Sequence, residues 1–255
     1  VNPLHTKKGR ELDDNSPLKA DKKDARVIAD LAASGRFMRM NLQDGPFAEL
    51  RQLSSDRSHV VDGISRVKIY GAGLLHQLFP EWTSVFKLPW CKASRALMRV
   101  AVTPEEIIKL GVKKIQAVFG DILHKKDGQR RSDRFLALAR QSASVGVAQT
   151  SQVMALRMML DRLELLERQQ EQIEAKMLEH LAQIPYADLL LTIPTMGKIT
   201  LAILLGEIGD LRDYHHAKEL IKLAGLNLYQ VTSGEQEKDE SKIVRHISKR
   251  GRPRL

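Results

Sequence analysis

The sequence has almost no cysteine and no long apolar run. Its single cysteine, Cys91, has no partner for an internal disulfide or for a cysteine-ligated zinc site. No apolar run reaches the roughly 18 residues that span a bilayer, and the first residues lack the basic-then-apolar pattern of a secretion signal. We therefore expect no membrane partner and a cytoplasmic location.

Glycine and proline are also scarce, with 16 and 9 of 255 residues, while 43% of the residues are hydrophobic. These values fit neither a disordered tail nor a fibrous repeat. A chain of this length can bury a core as one domain or as two. We expect a globular protein.

Acidic residues are outnumbered, because 41 Lys and Arg face 31 Asp and Glu and leave a net charge of +10. Residues 87–147 contain 13 basic and five acidic residues, and residues 242–255 contain six basic residues and no acid. Such clusters suit a polyphosphate, since each neutralised phosphate releases counterions. A solvated basic face is the alternative for any single cluster. Two basic regions together favour nucleic acid, although charge does not separate DNA from RNA.

Hydrophobic periodicity predicts a mainly α fold. Residues 1–20 are polar and rich in turn-forming residues, which predicts a loop. A short helix is predicted from Asp21, ended by Gly35 as a left-handed cap. A long helix is predicted from residue 46 to about residue 79, and Thr103 is predicted to cap a helix within a compact helical insert.

Between residues 148 and 184, apolar residues recur three, four or seven positions apart. This spacing predicts a coiled-coil seam. The usual role of such a seam is structural, as a spacer or a dimer interface, rather than catalytic. We therefore expect homo-oligomerisation through this coiled coil.

After Pro185 the pattern changes to an apolar segment, a turn at residues 193–197 and a second apolar helix from about Lys198. This order predicts a helix-hairpin-helix motif. Gly197 would let the backbone approach a phosphate, and the helix that begins at Lys198 would offer unpaired N–H groups. An ordinary helical turn is the alternative.

Asp21 and Asp24 lie three residues apart at the start of the predicted helix, so both carboxylates occupy one face of its first turn. They could share a Mg²⁺ ion, which would relieve their repulsion and polarise a phosphoryl oxygen. The alternative is helix capping, because acids oppose the helix dipole at N-termini. On spacing alone, capping is favoured.

Ser233 precedes Gly234 shortly before the basic tail. Such a serine could attack a phosphodiester and conserve the bond energy in a phosphoserine link. The charge of the transition state could then be stabilised by the nearby cations Lys242, Arg245, Lys249 and Arg250. The alternative is an ordinary loop serine, and the spacing identifies no general base.

Three segments resemble the DEDD-type transposases of the insertion-sequence-110 family. The opening VNPLHTKKGRELDDNSPLKADKKDARVIADLAASGRF resembles the end of the family's RuvC-like nuclease domain. The stretch IPTMGKITLAILLGEIGDLRDYHHAKELIKLAGL resembles the start of its C-terminal transposase domain, and SGEQEKDESKIVRHISKRGRPRL resembles the serine-bearing end of that domain.

The resemblance implies a recombinase that cleaves and rejoins DNA at the ends of its element, guided by a structured RNA. It assigns Asp21 and Asp24 to the magnesium site and Ser233 to the nucleophile. DNA contacts are expected at Gly197, Lys198 and the basic tail, which includes Arg252. An assembly of several copies would form the composite site.

The resemblance also implies a domain order. An incomplete RuvC-like (RNase H-like) α/β remnant is expected at residues 1–45, followed by a basic helical region at 46–147. The coiled-coil connector is expected at 148–185 and the C-terminal helical domain, with its helix-hairpin-helix motif, at 186–255. The first two acids of the DEDD set do not occur in the chain. We therefore expect a frame truncated at both ends, and a non-catalytic nucleic-acid-binding protein or inactive remnant is the alternative.

Overall fold

The computed structural model describes residues 3–14, 20–37, 43–143, 149–230, 245–248 and 251–252. Within these ranges the chain is mainly helical, as predicted. The helices are α1 (Pro3–Asp14), α2 (Asp21–Ala33), α3 (Gly45–Leu78), α4 (Trp82–Val85), α5 (Lys92–Val100), α6 (Pro104–Phe119), α7 (Lys125–Ala139), α8 (Gln149–Leu181), α9 (Ala187–Leu190), α10 (Lys198–Ile208) and α11 (Ala217–Leu223). Short strands lie at β1 (Leu228–Gln230) and β2 (Arg245–Ile247).

The chain divides into two compact units, Val1–Asp44 and Gly45–Leu255. Among the described residues, no helix combines the length and the apolar character needed to cross a bilayer.

The first unit contains α1 and α2. The loop predicted for residues 1–20 is wrong over residues 3–14, which form α1. This helix packs against α2: Gly9 lies against Val27, the buried residue of α2, and Arg10 forms an ion pair with Asp24. Asp13 and Asp14, the first residues of the turn-forming cluster, therefore belong to a helix.

The end of α2 follows the sequence prediction. Gly35 has a φ of 70°, a left-handed conformation that glycine adopts without a Cβ penalty. The N–H of Arg36 donates to the Leu31 carbonyl, and that of Gly35 donates to the Ala32 carbonyl. These two bonds form a Schellman motif that satisfies the last carbonyls of the helix.

The second unit is organised around two long helices, α3 and α8, which run antiparallel. Near one end, Arg57 Nε donates to Glu174 Oε1 at 2.7 Å. Near the other end, Gln152 Nε2 donates to Gln77 Oε1, also at 2.7 Å. The contact nearer the C-terminus of α3, at Gln77, is the one nearer the N-terminus of α8, at Gln152. The two helices are therefore antiparallel.

The apolar seam of α8 is buried inside this unit. Its buried positions are Val153, Leu156, Leu160, Leu163, Met177 and Leu181. Leu156 and Leu160 belong to the core that includes Leu78, while Met177 belongs to the core that includes Leu50. The helix partner of the predicted coiled coil is therefore α3 of the same chain.

The insert between these helices, α4 to α7, forms an aromatic core at the C-terminal end of α3. Trp82 and Phe135 lie 4.8 Å apart between ring centroids, and Phe79 packs edge-on against both. The indole N–H of Trp82 donates to Ser94 Oγ at 2.8 Å, so the buried polar atom of the ring is satisfied. These contacts fix α4, α5 and α7 on the end of the long hairpin.

The predicted cap at Thr103 is confirmed. Its hydroxyl accepts from the Glu106 N–H at 3.2 Å, and the Glu106 carboxylate accepts in return from the Thr103 N–H. Pro104 occupies the first turn of α6. This capping box satisfies donors that the helix itself leaves unpaired.

At the opposite end of the hairpin, α10 approaches α3 closely. A Cβ on Gly206 would lie 2.8 Å from backbone atoms of Leu50 and Arg51. Leu201 and Leu205 of α10 are buried in the same core as Leu50. Gly206 therefore lets the backbone of α10 approach the backbone of α3, which a residue with a Cβ would prevent.

The last described elements are α11 and the two strands. β1 and β2 pair antiparallel, with Gln230 opposite Arg245 and Leu228 opposite Ile247. The Arg252 N–H donates to the Leu223 carbonyl at 2.8 Å, which joins the chain after β2 to the end of α11.

Candidate functional site

The two acids predicted for the metal site lie on the first turn of α2, as expected. Asp24 is already paired, because Arg10 Nη1 donates to both of its carboxylate oxygens, at 2.9 and 3.3 Å. The pair is partly buried, with side-chain exposures of 12% for Arg10 and 24% for Asp24. Asp21 is exposed.

This arrangement does not fit Mg²⁺. A divalent cation takes oxygen ligands from several groups, whereas Asp21 and Asp24 supply two carboxylates, one of which carries a bound guanidinium. Among the described residues, no group of three or more His, Cys, Asp or Glu could hold a metal. Asp21 and Asp24 are therefore not arranged to hold a catalytic metal by themselves.

Sequence reasoning missed Arg10. Arg10 and Asp24 are 14 residues apart on different helices, so no periodic pattern connects them. A long cation on α1 facing an acid on α2 could have been found only if α1 had been predicted.

The predicted hairpin contains the turn expected at residues 193–197. The Met196 N–H donates to the Ile193 carbonyl at 3.1 Å, and Thr195 has a φ of 71°. The helix before the turn, α9, has only four residues. Strained backbone therefore occurs at Thr195, while Gly197 has an ordinary extended conformation with φ −80°.

Gly197 precedes α10 as its N-cap, and no side chain in the described part of the chain caps this end of the helix. Gly197 and Lys198 are both exposed. Among the residues that the structure describes, a Cβ on Gly197 would meet only Thr200, at 3.8 Å. The N–H groups of the first turn of α10 consequently lie on an uncovered surface beside a lysine.

A second polar cluster follows α10. The Tyr186 hydroxyl donates to Asp210 Oδ1 at 2.9 Å and accepts from the Leu211 N–H at 3.1 Å. Asp210 also accepts from Arg212, whose hydrogen bonds lower the pKa of Asp210 to about 2. Burial, reinforced by the Asp210 carboxylate, raises the pKa of Tyr186 to about 12.

At neutral pH the cluster contains a neutral tyrosine and an ionised Asp210, and both shifts move the two pKa values further from neutrality. It joins the segment before α9 to the turn after α10, and so holds the hairpin region in place. Sequence reasoning missed this cluster. The Asp210 side chain caps the Arg212 N–H in a short 3-10 turn, and an aspartate two residues before an arginine is the only sequence signal of it.

Ser233 lies outside the described residues, as do Lys242, Lys249 and Arg250. Arg245 is described as a backbone partner in β2. Arg252 lies beside α10, where its Nη1 is 3.9 Å from Oε2 of the buried Glu207. The described part of the basic tail therefore packs against the C-terminal helices.

The family assignment comes from two family models. The one described as "Transposase IS116/IS110/IS902 family" matches residues 187–255, and the DEDD model of the IS110 group, described as "Transposase", matches residues 1–80. Together they cover more than half of the chain, in the order expected from the sequence. Comparisons with curated proteins and with solved structures gave no match. The chain belongs to the IS110 family of transposases.

Proposed function

We propose that this transposase cleaves and rejoins DNA at the ends of an insertion sequence, with Ser233 as the nucleophile and a structured RNA as the guide. The observation that carries the proposal is the pair of family matches at the two ends of the chain. Ser233 falls within the C-terminal match, three residues after β1 in the sequence. We assign the RuvC-like remnant to the N-terminal match.

The chemistry at Ser233 would be a reversible transfer. The serine oxygen attacks a phosphorus atom, a phosphoserine bond forms, and the bond from phosphorus to the leaving sugar oxygen breaks. The serine loses its proton and the leaving oxygen gains one. Because the phosphoserine bond retains the energy of the original link, a second DNA hydroxyl can reverse the step and complete the joining.

The surfaces that would hold DNA are the uncovered start of α10 and the basic tail. Lys198 stands beside the free N–H groups of that helix, which favour an anion. We assign Gly197 and Lys198, with the cations of residues 242–252, to contacts with the phosphate backbone.

The alternative is a nucleic-acid-binding protein without strand cleavage, or an inactive remnant. The ion pair between Arg10 and Asp24 favours this alternative, because it occupies one of the two acids of the predicted magnesium site. Such a protein would bind nucleic acid in a salt-dependent way and leave its strands intact.

Homo-oligomerisation also remains a prediction. The positions expected to form its seam are buried against α3, so a second copy would have to use other faces of α8 or another element. Sedimentation velocity of the protein over a range of concentrations would test it.

The test of the proposed function is a covalent adduct between the protein and element-end DNA, formed in the presence of guide RNA and Mg²⁺ and detected by denaturing electrophoresis. We expect Ser233→Ala to abolish the adduct. Ser241→Ala is the matched control, since Ser241 is the other serine between β1 and β2, and it should leave the adduct unchanged. Persistence of the adduct in Ser233→Ala would refute the nucleophile, and its absence from the wild-type protein would favour the non-catalytic alternative.

A further inference from the structure

A groove of ≈ 500 Å³ lies in the helical insert, between α7 and the chain that joins α4 to α5. Four cations line it: Lys87, Arg130, Arg131 and Arg134. The remaining lining residues include Phe86, Cys91 and Leu88, and none of the lining residues is acidic. The groove lies between the two family matches, in a part of the chain that neither model covers.

The lack of acids distinguishes this groove from a second one, of ≈ 580 Å³, between α5 and α8. That second groove is also lined by four cations, but three glutamates line it too. Arg95 pairs with Glu167 at 2.6 Å, and Arg99 pairs with Glu164 at 2.9 Å. Its charges are therefore largely neutralised within the protein, and it needs no anionic ligand.

In the groove beside α7, the cations are much less compensated. Among the described residues, neither Lys87 nor Arg134 has an ion-pair partner. Arg130 contacts Asp127 at 3.2 Å, but its side chain is 75% exposed, so this pair contributes little. Three exposed cations, Lys87, Arg130 and Arg134, thus border the groove with their charge available to solvent.

The fourth cation, Arg131, is fixed. Its Nη1 donates to the Val85 carbonyl at 2.9 Å, and its guanidinium carbon lies 4.7 Å from the centroid of the Phe86 ring. A guanidinium held by a carbonyl and an aromatic face keeps its positive charge at a defined position with little rotamer freedom to lose. Arg131 therefore places a positive charge at a fixed position next to the three exposed cations.

We propose that this groove binds the phosphodiester backbone of a nucleic-acid strand. Arg130 and Arg134 lie on one face of α7, four residues apart, and Lys87 faces them from the loop after α4. Successive phosphates along a strand would accept from these side chains beside Arg131. The proposal deepens the proposed function, since it rests on that function for its choice of nucleic acid over other polyphosphates.

The test measures nucleic-acid binding by the full chain at a series of salt concentrations, with fluorescence anisotropy as the readout. The two probes are a labelled DNA duplex and an RNA duplex of the same sequence. The logarithm of the association constant falls linearly with the logarithm of the salt concentration. Arg134→Gln and Lys87→Gln should each make this line less steep by about one unit of slope, because each removes a phosphate contact. Arg168→Gln is the matched control: it removes one charge from an exposed arginine of α8 in the neutralised groove, and the slope should stay that of the wild type.

A reduced slope with one probe alone would support the proposal and identify the strand as DNA or RNA, and a reduced slope with both would support recognition of the shared backbone. Equal slopes for Arg134→Gln, Arg168→Gln and the wild type would overturn the proposal. Equal reductions in Arg134→Gln and Arg168→Gln would also overturn it, since net charge alone would explain them. A normal Ser233 adduct with unchanged slopes would refute only the groove, while reduced slopes without any adduct would refute only the recombinase.

Discussion

Arg10 and Asp24 are joined through a single nitrogen, Nη1, which donates to both carboxylate oxygens at 2.9 and 3.3 Å. The pair connects α1 to α2 across the first unit. It also places a positive charge where the family resemblance places Mg²⁺, so Asp24 stabilises the helix pair whether or not it contributes to catalysis.

We expect a double-mutant cycle with Arg10→Met and Asp24→Asn to give a coupling energy of about 0.5–1 kcal/mol, the upper range for pairs that retain some exposure. Hydrogen exchange of the α1 and α2 amides is the appropriate measurement, because it reports the local stability of this unit. The control is Asp21→Asn, which should show no coupling to Arg10. A coupling equal to that of Asp24 would mean that the pairing is not specific.

Added Mg²⁺ gives a separate prediction for the same pair. Because Asp24 is occupied by Arg10 and no third ligand is present among the described residues, millimolar Mg²⁺ should leave the exchange rates of α2 unchanged. A marked slowing in the wild type that is lost in Asp24→Asn would show that the acids do bind the ion.

The capping box of α6 predicts a stability effect. Thr103→Ala removes the hydroxyl that accepts from the Glu106 N–H in a buried position, and should lower the free energy of unfolding by about 1–2 kcal/mol. Thr103→Ser keeps the acceptor and should recover most of the loss. Denaturant unfolding followed by far-UV circular dichroism would measure both, and an equal loss in the two variants would rule out the hydroxyl as the cause.

Two helical glycines predict opposite effects of the same substitution. Gly206→Ala would force a Cβ against the backbone of α3 and should destabilise the protein by about 1–3 kcal/mol, the usual effect of overpacking. The added Cβ of Gly73→Ala, in α3, meets no described residue within 4 Å, so this substitution should stabilise the protein by about 0.5–1 kcal/mol. Thermal unfolding of the two variants measures the difference, and destabilisation by both would contradict the packing argument.

Asp210 predicts a pH dependence. Its pKa lies near 2 in the folded protein, below the ordinary value of 3.8, so its ionised form stabilises the fold above about pH 4. That contribution is lost as the pH falls through about 2, the pKa of Asp210 in the folded protein. We expect Asp210→Asn to reduce the free energy of unfolding by about 1 kcal/mol near pH 5, as for other lost caps. The difference from wild type should shrink as the pH falls through about 2 and vanish only below it. A difference independent of pH would exclude the charge as the cause.

The sequence predicts local features, such as helix caps, better than it predicts which helices pack together. The cap at Thr103 and the stop at Gly35 depend on residues within a few positions of one another, and both are confirmed. The partner of α8 depends on contacts such as Arg57 with Glu174, which are 117 residues apart. A heptad pattern specifies that a helix needs an apolar neighbour, but not which helix supplies it.

The site was predictable to a smaller extent. Asp21 and Asp24 lie together on one helical turn, because three-residue spacing requires it. Arg10 was not predictable, since the polar cluster after it suggested a loop. The groove beside α7 was visible only as clustered charge, and its lack of acidic neighbours depends on how α7 packs against the chain after α4.

The long hairpin sets a fixed separation inside the second unit. The insert with its cationic groove packs at one end of α3, and α10 packs at the other, with 34 residues between the limits of that helix. At 1.5 Å per residue, this corresponds to about 50 Å. A straight duplex that touched both ends at once would need on the order of 15 base pairs at 3.4 Å each. Because α3 is one continuous helix packed along α8, the span between its two ends is set by the length of the helix.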